Sequence, residues 1–302
     1  MLNTKFGIEI EFTGITRYKA AKIIAKYLNS TVEHLGTYYD KYGVKDSQGR
    51  TWTVMSDGSI YTQKRENGVR VRASAKYSCE LVSPILTYNG DIELLQQMIR
   101  ELRHGGAFVD EGSCGIHIHL DGANHTPKTL RNFINIIASK NDLLYKALQI
   151  QPERMRWCKK MDETLVKRFN SRKPKTFEKC EELWYGSDYY SRHHHYNQTR
   201  YHFLNLHSFF NGNGTVELRG FNSTLHAGKV RAYIVLALAL NNQALTQTKA
   251  SSKKPQEENE RFAMRTYLNR IGLIGDEFAS CRKHLSEHLN GSPAWRYGNR
   301  AS

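Results

Sequence analysis

The 302-residue chain has few of the features that would fix a class at once. Its five cysteines (Cys79, Cys114, Cys158, Cys180 and Cys281) are scattered, with no CxxC pair among them. That argues against a disulfide scaffold, a zinc ribbon or a thioredoxin-type redox motif, and it suits reduced thiols with structural roles. Proline is scarce, at six residues, and no Pro/Gly/Ser-rich stretch marks a linker. No apolar run reaches the length needed to span a bilayer, and the N-terminus lacks the basic-then-apolar layout of a secretory signal, so a cytoplasmic protein with no membrane partner is expected. Acidic residues are also under-represented. Lysine and arginine total 44 against 29 for aspartate and glutamate, a net charge of +15, so the average surface should attract anions.

The chemistry lies in short strand-like segments. Side chains on a strand alternate between faces, so residues two apart point the same way. Three tripeptides then become comparable: Glu9-Ile10-Glu11, His117-Ile118-His119 and Glu217-Leu218-Arg219. Each puts two polar groups on one face and an aliphatic residue on the other, which predicts a sheet with a chemical face and a core face. Glu80, in "CELVSP", is a further carboxylate for the chemical face. Carboxylates crowded together raise one another's pKa unless cations offset the repulsion. A carboxylate-rich set with one imidazole suits Mg²⁺ or Mn²⁺ better than zinc.

Between these segments the pattern alternates. A strand is expected over Gly7 to Phe12, then a helix in "TRYKAAKIIAKYLNS", a hairpin about Asp57-Gly58, and a strand ended by Pro84. Further helices are expected in "DIELLQQMIRELRHGG", capped by Asp91, and in "TPKTLRNFINIIASKNDLLYKAL", capped by Thr126. "RYHFLNLHSFFNGNGTVELRGF" reads as two antiparallel strands joined by an Asn/Gly turn, and "HAGKVRAYIVLALALNNQAL" as an apolar helix. The basic, aromatic-sprinkled residues 151–200 read as an insertion within a catalytic domain of residues 1–250, and 251–302 as a helical tail. The run His193 to His195 reads as a polar loop, because consecutive residues fan apart and seldom chelate together.

Taken in order, "FGIEIEF", "DGSI", "ELVSPIL", "CGIHIHLDG" and "NLHSF" followed by "GTVELRGFNSTL" resemble the putative amidoligase family of the carboxylate-amine ligase superfamily, which includes glutamine synthetase and glutamate-cysteine ligase. The resemblance runs over about residues 5–245, outside the basic segment. It implies an α+β fold: a curved, mainly antiparallel sheet of the glutamine synthetase half-barrel type, with helices on its convex face. It also implies an ATP-dependent ligase that makes an amide through an acyl phosphate, with two or three Mg²⁺ or Mn²⁺ ions. Glu9, Glu11, Glu80, His117 and Glu217 would be the metal ligands. His119, Arg219, Arg200 and Asn205 would face the nucleotide. Arg219, Asp57 and Glu217 would act in catalysis, with Asp57, followed by Ser59 in the D-G-S segment, as a base for the amine. The acid and amine partners are not specified and include amino acids, peptides and proteins.

Two other classes compete. The basic residues Arg154, Arg156, Lys159, Lys160, Arg172, Lys173 and Lys175, interleaved with Trp157 and Trp184, would suit a nucleic-acid-binding protein. The carboxylates and histidines alone would also suit a metal-dependent hydrolase that needs no ATP.

Overall fold

A computed structural model describes residues 1–255 and 258–295. Its centre is an eight-stranded sheet whose neighbouring strands all run antiparallel, in the order β2-β3-β4-β7-β1-β8-β10-β9. The strands are β1 (Phe6–Phe12), β2 (Val32–Gly36), β3 (Lys41–Lys45), β4 (Thr51–Met55), β7 (Cys79–Val82), β8 (Gly115–Asp121), β9 (Leu204–Asn205) and β10 (Thr215–Asn222). A separate two-stranded ribbon is formed by β5 (Gln63–Glu66) and β6 (Val69–Arg72). The sheet is not closed into a barrel, and the chain is of the α+β class.

Alternation along the central strands builds the core. Phe6, Ile8, Ile10 and Phe12 of β1, Ile116, Ile118 and Leu120 of β8, and Val216 and Leu218 of β10 are all buried on one side. Helices α1 (Arg17–Tyr27), α2 (Tyr88–His104), α3 (Pro127–Ala147) and α7 (Ala227–Thr246) share this core. α7 is apolar around most of its circumference, as a helix sandwiched between other elements must be, and it packs against α2, α3, β8 and α9 (Ala279–His284). No helix among the described residues is long and apolar enough to cross a membrane. α8 (Glu260–Arg270) and α9 send Met264, Leu268, Cys281 and Leu285 into the same core. All five cysteines are buried free thiols.

Three local expectations change. Asp57-Gly58 does not turn a hairpin, because β4 pairs with β3 and β7, so the chain leaves the sheet there. The hairpin turns between consecutive strands lie at residues 37–40, at 46–50 and at Asn67-Gly68, the last with positive φ at both residues, 50° and 83°. Asp91 is not the N-cap of α2. The helix starts a turn earlier, capped by Thr87, and the Asp91 carboxylate reaches back to accept from the Thr87 N–H at 2.8 Å. Finally, β9 and β10 are antiparallel neighbours as expected, but the short helix α6 (His207–Asn211) joins them, and β9 is only two residues long.

A buried charge network ties the β3–β4 turn to α2. Asp46 accepts from Arg50 Nε at 2.8 Å and Trp52 Nε1 at 3.2 Å, and Arg50 Nη2 donates to Asp91 at 2.7 Å. Burial raises the carboxyl pKa of both aspartates, but the Arg50 bonds, with those from Trp52 and the Gln48 N–H to Asp46 and from Thr87 to Asp91, together outweigh it and leave both below the ordinary value. A depressed folded pKa adds stability above the unfolded value, and that stability is lost as pH falls through the folded value. Asp46→Asn should therefore lower stability by about 1–2 kcal/mol at pH 7 and by far less at pH 3. Urea titrations of both proteins at the two pH values check this.

Candidate active site

The opposite face of the sheet carries the polar groups, and the register brings them side by side. Glu9 of β1 lies opposite His117 of β8, Glu11 opposite Glu80 of β7, and Glu217 of β10 opposite His119. Glu9 Oε2 accepts from His117 Nδ1 at 3.0 Å, and His119 Nε2 lies 3.3 Å from Glu9 Oε1. Glu11 Oε2 accepts from the Gly115 N–H at 2.5 Å, and its other oxygen lies 3.9 Å from His117 Nε2. Glu217 sits between two donors, Arg219 Nη1 at 2.5 Å and Asn205 Nδ2 at 2.6 Å. Glu11, Glu80, His117, Glu217 and Arg219 are all more than nine-tenths buried.

Such crowding spreads the ionisation states apart. Burial, followed by the charges of Glu9, Glu11 and Asp57, raises the Glu80 carboxyl well above the usual range, and burial raises Glu11 too. Burial also opposes the charge on Glu9, but His119 and His117 prevail and hold its carboxyl well below that range. For Glu217, Arg219 and the histidines overcome burial and bring it down to about 2. Burial disfavours charge on His119, yet Glu9 and Glu217 lift it to about 9.

Two ligand sets suited to a metal ion emerge, Glu9 with His117 and Glu217, and Glu11 with Glu80 and His117, each with donor atoms within 4.8 Å of one another. His117 is common to both sets, with Nδ1 3.0 Å from Glu9 Oε2 and Nε2 3.9 Å from Glu11 Oε1. The donor chemistry fits a hard divalent cation: four carboxylates and one imidazole, two of the carboxyls raised in pKa because burial and neighbouring carboxylates oppose their charge.

In front of this cluster opens a cavity of about 500 Å³. Glu11, His117 and Arg219 form its floor, with Asp57, Ser59 and Ser113 also lining it. The remaining wall is basic and aromatic: Arg154, Arg156, Trp157, Tyr196, Arg200 and Tyr201. Residues 151–200, expected as an insertion, thus include α4 (Glu163–Arg172), α5 (Phe177–Tyr185) and one side of the site.

Of the residues expected in the site, Glu9, Glu11, Glu80, His117, His119, Glu217 and Arg219 come together. Asp57 reaches the cavity but is turned toward its own loop, where its Oδ1 accepts from the Ser59 N–H at 2.6 Å. Arg200 lines the cavity from a 3₁₀ turn (Gln198–Arg200) rather than from the start of a strand. Asn205 is fully buried behind Glu217, with its amide engaged by that carboxylate and by the His207 N–H at 2.7 Å, so it positions Glu217 and does not face the cavity. His193 to His195 are exposed loop residues, as expected.

The nucleic-acid reading loses two of its main supports. Trp184 is buried, with its indole N–H given to Thr199, and cannot stack on a base. Arg154 is 2 % exposed, and its guanidinium donates to the backbone carbonyls of Phe221 and Arg219.

Those Arg154 contacts explain a feature that alternation alone does not supply. Leu218 pairs with Ile118 and Phe221 with Ile116, so Arg219 and Gly220 together oppose the single residue His117, a β-bulge. The extra residue lets Arg219 face the cluster while Phe221, two further on, faces the core and stacks on Tyr233. Arg154 satisfies the carbonyls that the bulge exposes, and Gly115 leaves it room: a Cβ there would lie 2.2 Å from Arg154 Nη2. In the sequence Arg154 is one more arginine of a basic segment, with no local signal to single it out. Arg154→Met, which keeps the bulk but not the donors, should cost about 1–2 kcal/mol and lower the melting temperature by about 3 °C, measured by differential scanning calorimetry.

A family model described as a putative amidoligase enzyme matches residues 2–241. No curated protein matches the chain.

Proposed function

This chain belongs to the amidoligase family, enzymes of the ligase type, and from that premise we propose that it joins a carboxylate to an amine at the expense of ATP, through an acyl phosphate. The observation that carries the proposal is the pairing of four converging carboxylates with an arginine-lined cavity directly in front of them. The first suits divalent cations and the second suits anionic substrates.

A carboxylate is a poor acyl donor because an oxide would have to leave. In the proposed reaction the substrate carboxylate attacks the terminal phosphorus of ATP, ADP leaves, and an acyl phosphate results. The amine then attacks the acyl carbon, inorganic phosphate leaves, and one proton is released. Mg²⁺ or Mn²⁺ held by Glu9, Glu11, Glu80, His117 and Glu217 would neutralise charge on the transferring phosphoryl group. Arg219 is fixed by its bond to Glu217, and its remaining N–H groups are free to bind phosphoryl oxygens. His119, whose pKa is raised by the charges of Glu9 and Glu217, would add positive charge beside them when protonated. Asp57, in the cavity lining with Oδ1 engaged by the Ser59 N–H, would accept the proton of the amine through its other oxygen.

The test is ADP formation by purified protein with Mg²⁺ and pooled amino acids, polyamines and acidic peptides, followed by mass analysis of the product. ADP formation that requires both an acid and an amine, with an amide product short of one water, is the expected result. Turnover of an amide without nucleotide would replace the ligase reading with a hydrolase.

A further inference from the structure

The β5–β6 ribbon stands beside this cavity and carries an arrangement that folding alone does not favour. Its register pairs Gln63 with Arg72, Lys64 with Val71, Arg65 with Arg70 and Glu66 with Val69. One face therefore presents Arg65, Arg70 and Arg72 together, all exposed. Like charges directly opposite one another destabilise a two-stranded pair. The guanidinium groups lie over aromatic rings, Arg65 and Arg70 at 5.5 and 4.4 Å from the Phe108 centroid and Arg72 at 5.4 Å from that of Tyr61. Among the described residues these three arginines have no carboxylate partner, whereas Lys64 on the other face is paired with Glu66 at 2.5 Å.

The two edges of the ribbon differ. β5 is held from outside by a bridge to Gly14, whose N–H donates to the Gln63 carbonyl at 3.0 Å. β6 pairs only with β5 among the described residues, so its other edge offers open backbone donors and acceptors. The ribbon also leads into the cavity. Arg72 covers Tyr61, the Tyr61 N–H donates to Ser113 Oγ at 2.9 Å, and Ser113 lines the cavity together with Arg156 and Arg200.

We propose that the free edge of β6 takes up an extended acidic peptide as a third strand, and that the substrate carboxylate is delivered to the cavity on such a chain. The identity of the delivered group rests on the ligase reading; the strand addition does not. Arg70 and Arg72 share a face and are about 6.6 Å apart along the strand, the spacing of alternate side chains on a partner strand. Carboxylates at every second position would meet them. The open backbone edge selects a polypeptide over a nucleic acid, since only a peptide can continue the hydrogen-bond ladder. Arginines that only guard the edge against aggregation would present the same charge but would bind no peptide.

The experiment is fluorescence anisotropy of the full chain, without nucleotide, with a labelled peptide that has glutamate at alternate positions. Binding should weaken as salt rises and fall by about tenfold or more in Arg70→Ser/Arg72→Ser. The same peptide with alternate backbone amides N-methylated should lose binding to a similar extent, because its charge is kept and its ladder is broken. Both arginines are exposed, so the variant should fold, and circular dichroism confirms it. Wild-type-like affinity in the variant, equal binding of the N-methylated peptide, or stronger binding of a single-stranded oligonucleotide of equal charge each overturns the proposal. The ADP assay separates the two readings. Peptide binding without ADP formation sinks the ligase reading alone, and turnover of small acids without peptide binding sinks the strand addition alone.

Discussion

Glu217→Ala should lower the proposed Mg²⁺-dependent ADP formation by about a hundredfold or more, the largest effect expected of any single substitution in the site. Glu217 is 3 % exposed and links three neighbouring strands at one side of the cluster, receiving Arg219 from its own strand and Asn205 from β9 while facing His119 of β8. Its removal deletes a carboxylate from one metal-ligand set and leaves Arg219 a buried cation without its partner. An uncompensated buried charge is costly, so lost activity could reflect lost structure. Glu217→Gln separates the two effects. It retains volume and one acceptor for Arg219, so its melting temperature should stay closer to that of the parent while its activity falls as steeply. Glu9→Ala, on the more open side of the cluster, should also lose activity with less change in stability. If Glu217→Gln and Glu9→Ala both keep parental rates and metal dependence, the cluster is not the catalytic centre.

The second large effect is on the fold. Gly220→Ala should destabilise the protein by about 3 kcal/mol. A Cβ at Gly220 would lie 1.9 Å from Cδ2 of Phe203, a fully buried ring that packs against Tyr145 and Phe221 and has nowhere to retreat. Phe203 is also fixed by its backbone, accepting from the Arg219 N–H at 2.8 Å. The strain falls on the bulge that turns Arg219 toward Glu217, so urea unfolding should show a lower midpoint and ADP formation should fall with it. A variant as stable as the parent would mean that the bulge and Phe203 can move apart freely, and the close packing would then not be what holds Arg219 in place.

Much of the site was legible because strand alternation is a local rule. Once Glu9, Glu11, His117, His119, Glu217 and Arg219 are placed on strands, period two puts each pair on one face and Ile10, Ile118 and Leu218 on the other, as the structure has them. Helix caps were legible where the cap is itself local, as at Thr126, whose side chain accepts from the Thr129 N–H. Asp91 shows how this reasoning slips: an aspartate ahead of an apolar repeat reads as a cap, while the helix in fact begins a turn earlier. The Asp57-Gly58 turn slipped for a different reason. The strand before it finds its partner in β7, more than twenty residues further on, and that pairing is decided by the sheet and not by the dipeptide.

Periodicity over a few residues is enough to assign the pairs, their faces and the apolar helices behind them. That Glu11 meets Glu80 and Glu9 meets His117, that Arg154 holds the bulge at Arg219, and that residues 151–200 wall the cavity follow from the folded chain alone. These depend on strand order, on register and on a buried guanidinium that reaches the backbone 65 and 67 residues away. Interactions at that separation leave no pattern in the neighbouring residues, since any arginine in a basic segment looks the same until the chain has folded around it.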